Sequence, residues 1–337
     1  MGSRTGSADN WGLIGHEWAV AMLQQHLAQD ALRHAYLFTG PPGVGRRTLA
    51  LRLAQALNCP EPSAPGAGCG ACRTCRQIEA MQYPDLAVVQ ADKEGGVLKV
   101  EHIRALRASL ALTPHTGKYR VALLLRFEEA NASAANALLK TLEEAPGHAI
   151  LLLTAGDSEA LLPTIVSRCE IMHLRPQTVE PLAQALEQRG VPAERAHLLA
   201  HLSGGCPGAA LRLVEDATAL DFRTERLDDL QTLLGATRLQ KFAYADKLTK
   251  ERERETFRRV LQVWSSYWRD VLVCAAGAAT PLVNVDRSEE IVRLAGALGV
   301  EKARQAVTGL QAGIARLDKN VNARLLAEVL LLDLPHG

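Results

Sequence analysis

The sequence predicts an α/β core on a parallel sheet, with a cysteine-rich insert, then a small helical segment and an all-α remainder. Three observations carry this prediction. Short apolar runs alternate with amphipathic stretches over roughly the first half of the chain, strand signals stop after Pro176, and the first strand-like run leads straight into a glycine-rich turn at Gly40–Gly45 that opens a helix. Parallel strands joined by helices are covered on both faces, so they read as continuous apolar runs.

Helical spacing of Val20, Leu23 and Leu27 predicts a helix over Glu17–Gln29, and Ala35–Phe38 reads as a strand. Thr48–Leu57 is an amphipathic helix. After the insert, strands are expected at Leu86–Gln90, Val121–Leu125, Ile150–Leu153 and Cys169–Leu174. Helices are expected between them at Val100–Leu110 and Ala132–Glu144, with a short helical piece at Leu161–Ile165. Val179–Arg189, Ala193–Leu202 and Gly208–Asp216 then read as three helices, the last two punctuated by Gly204-Gly205 and Pro207. From Leu239 onward only long helices remain, including Arg252–Ala275, Ser288–Ala297 and a last one ending near Leu332.

The expected organisation is a disordered start or tag remnant over 1–10, a core over 11–175 with its insert at 59–75, a three-helix domain over 176–238 and an all-α domain over 239–337. A length of 337 residues suits two or three domains. Aromatics are only 4% while Ala and Leu dominate, which favours helices. Trp264, Tyr267 and Trp268 lie at helical spacing and read as a core cluster; Leu325, Leu326, Val329 and Leu330 form one apolar helix face, either core or subunit contact. Lys247–Arg259 is dense in both signs and reads as a solvated face.

Net charge is +1, from 38 basic and 37 acidic residues, so whole-chain charge does not argue for a dedicated nucleic-acid binder, while a balanced sum leaves room for a local basic face. No apolar run approaches the ~20 residues that span a bilayer, and the first residues are polar and Gly/Ser-rich rather than a secretory signal. The expectation is a cytoplasmic protein without membrane contact. Its seven cysteines then require an explanation other than structural disulfides.

Four of them, Cys59, Cys69, Cys72 and Cys75, are spaced C-x9-C-x2-C-x2-C among Pro60, Pro62, Pro65, Gly66, Gly68 and Gly70. Two C-x-x-C steps let thiolates converge on one tetrahedral Zn²⁺, and four of them fill its coordination sphere, so the site is structural. An iron–sulfur cluster or a redox pair is the alternative. Cys169, Cys206 and Cys274 are isolated and read as small buried or half-buried side chains.

The turn Gly40-Pro41-Pro42-Gly43-Val44-Gly45 has both glycines of the phosphate-binding pattern G-x-x-x-x-G-K-[ST], between a strand and a helix. The next residues are Arg46, Arg47 and Thr48. Arg46 stands where Lys would reach the outer phosphates, and a planar guanidinium is no equivalent substitute. Arg47 puts a cation where a hydroxyl would hold Mg²⁺. Thr48 offers a hydroxyl one residue late, about 100° around the helix. A phosphate-splitting site of this kind also needs an acid after a second buried strand. Val121–Leu125 instead runs into Arg126 and Phe127, while Glu128 and Glu129 come later and read as solvated carboxylates. The anion cradle is retained and the metal site lost, which predicts a nucleotide-binding fold without hydrolysis.

His34-Ala-Tyr-Leu-Phe-Thr-Gly-Pro-Pro-Gly-Val-Gly45, the four-cysteine insert, Asn136-Ala-Leu-Leu-Lys-Thr-Leu-Glu-Glu144 and Ser167-Arg168-Cys169 together resemble the bacterial clamp-loader ATPases, the gamma/tau and delta-prime subunits of DNA polymerase III. The resemblance spans about residues 11–215 and continues more weakly through Tyr267-Trp268-Arg269-Asp270 and the segment from Asn320 and Asn322 to Leu332. It implies an AAA+ core, a three-helix lid and a helical collar whose copies form a five-membered ring. It also implies gamma/tau and delta as partner subunits, the beta sliding clamp as a partner through the complex, and sequence-independent contact with primer–template DNA. Arg104, Arg107 and Lys118 are basic and near the core helices, but none is singled out for that contact.

Within that family the departures resemble the delta-prime branch. Aligned on Asn136, the acid pair falls on Leu125 and Arg126, and Gly208 stands where the lid of the active paralogues offers an arginine. The resemblance assigns Arg168, flanked by Ser167 and Cys169, as an arginine finger for ATP held by a neighbouring subunit; Arg175 reads as solvated or ion-paired. The chain is then a non-hydrolysing subunit that completes another subunit's site. The alternative is an active gamma/tau-type ATPase in which Arg46 does the work of Lys. A helicase loader or other AAA+ remodeller fits less well, because the cysteine insert follows the P-loop helix as in clamp loaders.

Overall fold

The computed structural model describes residues 10–93, 95–250, 254–317 and 321–335. Residues 1–9 of the expected disordered start, Asn320 of the weaker resemblance and part of the charged Lys247–Arg259 stretch lie outside them.

The first half is a five-stranded, all-parallel sheet. Its strands are β1 (Ala35–Thr39), β2 (Leu86–Val89), β3 (Arg120–Leu124), β4 (Ala149–Ala155) and β5 (Glu170–His173), in the spatial order β2-β3-β4-β1-β5. Around them run α1 (Glu17–Ala28), α2 (Arg46–Asn58), α3 (Arg73–Glu79), α4 (Val100–Leu110), α5 (Ala132–Glu143), α6 (Pro163–Val166) and α7 (Val179–Glu187). The later elements are α8 (Ala193–Leu202), α9 (Pro207–Glu215), α10 (Ala217–Leu234), α11 (Arg238–Lys250), α12 (Arg254–Ala275), α13 (Ser288–Leu317) and α14 (Ala323–Leu332).

Strand side chains alternate between two apolar layers, as a two-residue period requires. Tyr36, Phe38, Leu123, Ile150 and Leu152 pack on one face with Val20 and Leu23 of α1 and Leu49 and Leu53 of α2. Ala35, Leu37, Ala122, Leu124, Leu151 and Leu153 pack on the other with Ile103 and Leu106 of α4 and Leu138 and Leu142 of α5. Every residue of β1 and β4 is buried, which is why their sequences carry no polar alternation.

The chain divides into two compact units: residues 1–190 with 205–209, and residues 191–204 with 210–337. The second is all helical. Its core joins Trp264, Tyr267 and Trp268 of α12 to Leu227 and Leu230 of α10, Leu298 and Leu310 of α13, and Leu326 and Leu330 of α14. The aromatic cluster is therefore core. The apolar face expected on α14 splits: Leu326 and Leu330 are buried, while Leu325 and Val329 are exposed. Gly299, at φ 70°, breaks α13 two residues past the expected helix end at Ala297.

The loop before β3 is pinned by a buried carboxylate. Asp85 accepts hydrogen bonds from the backbone N–H of His115 at 2.6 Å, Thr116 at 2.8 Å and Gly117 at 2.8 Å, with Arg120 at 3.8 Å. Burial pushes the Asp85 pKa up, but the three N–H donors and Arg120 outweigh it and hold it below the ordinary aspartate value. A group whose folded pKa is depressed contributes stability that is full above the unfolded value, about 3.9, and is lost as pH falls through the folded one. Asp85→Asn is accordingly expected to cost about 2–3 kcal/mol at neutral pH, and the gap to wild type should narrow below about pH 4. Denaturant melts at neutral and acidic pH check this; a gap independent of pH would assign the loss to packing.

Candidate functional site

The turn between β1 and α2 has the geometry of an anion cradle. Gly40, Gly43 and Gly45 take φ of 140°, 81° and 118°, conformations that L side chains rarely adopt. A Cβ on Gly40 would lie 2.3 Å from the Leu174 carbonyl oxygen. The turn ends at the N-terminus of α2, where free backbone N–H groups favour negative charge. Arg46, Arg47 and Thr48 form the first turn of that helix, two residues before its expected start.

Two contacts hold this loop from within the same compact unit. The His16 ring, 3% exposed, donates from Nε2 to the Val44 carbonyl at 2.9 Å. Gly208 N–H donates to the Gly43 carbonyl at 2.8 Å. A Cβ at Gly208 would sit 2.9 Å from that same oxygen, tighter than real contacts allow. Position 208 is thus a backbone-to-backbone contact with the loop.

Arg46 is half-buried, and its Nη1 has no hydrogen-bond partner. Burial pulls its pKa down; the nearby Glu128 charge opposes that and the Arg126 charge adds to it. Arg47 and Thr48 are exposed. No carboxylate stands at the end of β3. Leu125 is buried and Arg126 is left-handed at φ 49°, its N–H donating to Thr154 Oγ1 at 2.9 Å. Of the two following acids, Glu129 departs from the solvated reading and Glu128 keeps to it. Glu129, with its side chain 11% exposed, accepts from Arg126 Nε at 2.8 Å and from Gly95 N–H at 2.9 Å. Glu128 is exposed but accepts from Gly156 N–H at 3.1 Å. Both carboxylates are engaged in shaping the loops at this edge of the sheet.

Arg168 sits elsewhere. The P-loop leaves β1 at its C-terminal end, whereas Arg168 enters β5 at its N-terminal end, and the two strands are parallel neighbours. A five-residue strand separates the two edges by about 15 Å. The guanidinium donates to the Thr164 carbonyl at 2.9 Å and to Glu143 Oε1 at 2.7 Å. Both partners stay partly exposed, at 37% and 51% of their side chains. Ser167 is exposed and bonds back to the Thr164 carbonyl at 3.2 Å. Burial pushes the Cys169 thiol up to about 12, which disfavours the thiolate. Glu143 and His16 carry no sequence signal of their roles, because each contact joins segments distant in the chain.

The four cysteines of the insert converge, their sulfurs all within 4.8 Å of one another. Cys59–Cys72 and Cys69–Cys75 sulfur separations are both 3.9 Å. Tetrahedral ligands at about 2.3 Å from one ion stand about 3.8 Å apart, so the set can hold a metal ion with every position filled. Backbone N–H groups of Cys69, Cys72 and Cys75 point at the sulfurs of Cys59, Cys69 and Cys72 at 3.4, 3.2 and 3.4 Å. The insert closes with α3, unforeseen in the sequence, whose Cys75 and Ile78 are buried. Gln55 of α2 donates to the Cys75 carbonyl at 2.8 Å, and Trp11 donates to Gly66 at 3.1 Å. Following the C-terminal end of α2, the centre lies about 20 Å along that helix from the P-loop, outside any chemistry there.

A family profile described as DNA polymerase III, delta subunit, matches residues 15–178, and one described as DNA polymerase III, delta subunit, C terminal, matches residues 219–336. DNA polymerase III subunit delta' of Pseudomonas aeruginosa is 39% identical over 203 residues, which is 59% of this chain and 61% of that protein. The chain therefore aligns with less than two thirds of that relative's length. The subunit delta' of Bacillus subtilis is 29% identical over 94% of this chain and 95% of its own. Among solved structures, a DNA polymerase III gamma subunit-related protein of Thermotoga maritima superposes with a TM-score of 0.53 at 17% identity, covering 93% of this chain and 97% of that one, a likeness of fold.

Proposed function

Because the chain belongs to the delta-prime family of DNA polymerase III clamp-loader subunits, we propose that it acts in the loader as a stator that does not hydrolyse ATP and lends Arg168 to the ATP site of a neighbouring subunit. Its partners in this reading are gamma/tau and delta, with the beta sliding clamp and primer–template DNA reached through the complex. A lid over 176–238, which holds the four helices α7–α10 rather than the three expected, and the collar of 239–337 belong to the same proposal, as does a cytoplasmic location. Among the described residues no helix is long and apolar enough to cross a membrane.

One observation carries the reading: the P-loop and Arg168 lie at opposite edges of the sheet. An arginine about 15 Å from its own loop serves a phosphate held by another chain. The loop in turn has no lysine, a cation where the metal-binding hydroxyl belongs, no acid at the end of β3, and Gly208 pressed against it. Mg²⁺ needs oxygen ligands, and Arg46 and Arg47 supply only positive charge.

We assign the four-cysteine centre to Zn²⁺, held by Cys59, Cys69, Cys72 and Cys75 as a structural pin. A four-thiolate set leaves no open position, so its contribution is to fold the insert.

Purified chain incubated alone with Mg²⁺ and labelled ATP should release no phosphate above buffer, and Arg46→Lys should not restore release, since the metal ligand and the acid stay absent. Turnover by the wild-type chain alone would favour the gamma/tau-type alternative.

A further inference from the structure

Two acceptors from separate elements hold the Arg168 guanidinium within its own chain. Nη1 donates to the carbonyl of Thr164 in α6, and Nη2 donates to Oε1 of Glu143, the last residue of α5. Helices α5 and α6 pack against each other, which brings the two acceptors to one guanidinium. Among the described residues Arg168 makes no further side-chain hydrogen bond, so its Nε–H and the remaining Nη protons are unspent. Arginine carries its donors in a rigid planar fork. Holding both Nη groups therefore sets the plane and direction of the fork and leaves donors for oxygens outside the chain.

Stability does not account for the Glu143 contact. Both side chains are partly exposed, and exposed pairs of this kind contribute little to folding. Water around the half-exposed carboxylate screens its charge, so it directs the fork without cancelling it. The adjacent Glu144 does not share the task, since it stands 3.9 Å from Arg107 instead. Orientation does account for the contact: an unrestrained arginine samples many rotamers, and a group that acts in a transition state loses its effect steeply when it is out of place.

We infer that Glu143 is a positioning residue for the arginine finger, fixing the direction of the Arg168 fork while the unspent donors meet the phosphate held by the neighbouring subunit. The inference deepens the finger reading and rests on it. In this role the carboxylate acts only through Arg168, and what it supplies is an acceptor oxygen at that place rather than its charge.

The test is single-turnover ATP hydrolysis by the loader reconstituted from the full chain with gamma/tau and delta of the same organism, with assembly followed by gel filtration. Glu143→Ala is expected to lower the rate at saturating ATP about tenfold, on the scale set by misplacing a reacting group by about 1 Å, with assembly and the KM for ATP unchanged. Glu143→Gln keeps an oxygen at nearly the same place and should recover most of the rate, while Glu144→Ala should match wild type. In the Arg168→Ala background, Glu143→Ala should change nothing further, because a residue acting through Arg168 has nothing left to act on. A Glu143→Ala loader as fast as wild type, a loss just as large without Arg168, or a loss that tracks weaker assembly would overturn the positioning role and leave the finger in place. A faster rate would overturn it too, by making the carboxylate a restraint. Arg168→Ala hydrolysing as wild type does would overturn the finger reading itself, and the role of Glu143 with it.

Discussion

In the assembled loader, Arg168→Ala is expected to slow hydrolysis at the ATP site it faces by about 10³-fold or more, without preventing assembly. An arginine reaching the terminal phosphate offsets charge that develops only as the phosphoryl group moves, and fingers of this kind are worth 10³–10⁵ in rate by order of magnitude. Folding should tolerate the change. Arg168 is partly exposed, and its pair with Glu143 is an exposed ion pair worth about 0–1 kcal/mol. In the proposed role that weakness matters: Glu143 would orient the guanidinium at little cost to its transfer onto a phosphate. Arg168→Lys keeps the charge but loses the fork, so it should recover only part of the rate. Single-turnover hydrolysis in the assembled complex, with assembly confirmed by gel filtration, is the measurement. A rate within a few-fold of wild type would remove Arg168 from the chemistry.

Removing one ligand from the cysteine centre should have the second large effect. Structural Zn²⁺ in small four-ligand sites contributes apparent binding free energies of about 10–16 kcal/mol, and in such sites that is folding free energy. Cys72 is one of the four converging cysteines and also caps α3, its sulfur accepting from Cys75 N–H. Cys72→Ser is therefore expected to drop bound zinc from about one per chain to near zero. Protease should then cut within 59–75 far faster, while the helical unit of 210–337 keeps its resistance. Cys169→Ser, outside the cluster, should keep its metal. Wild-type protein with well under one zinc per chain and all four thiols intact would contradict the assignment.

Most of the α/β unit was legible because its signals are local and repeated. Ile103, Leu106 and Leu110 fix α4 to the residue, and the unbroken apolar runs of β3 and β4 announce strands buried on both faces. Elements whose stability comes from elsewhere were not legible. Helix α3 is closed by two converging cysteines and by Gln55, not by an apolar stripe of its own. Helix α10 shows leucines at helical spacing only in its second half, at Leu227, Leu230 and Leu233–Leu234, and went unassigned.

The sites follow the same division. Spacing along the chain revealed the four cysteines and the altered P-loop. It could not reveal that Glu143 holds Arg168, that His16 and Gly208 grip the loop, or that Glu129 accepts from Gly95 N–H, because each of these joins residues far apart in the chain. Lys241 is the clearest case: a lysine on a charged helix reads as solvated, and only packing shows it to be enclosed.

The most direct test of the central claim is clamp- and primer–template-stimulated ATP turnover as the chain is titrated into gamma/tau and delta. The chain alone should be inert, wild type should raise turnover to a plateau, and Arg168→Ala should assemble equally well but reach a distinctly lower one. Hydrolysis by the chain alone, or the same plateau with Arg168→Ala, would contradict a non-hydrolysing subunit that lends its arginine to a neighbour.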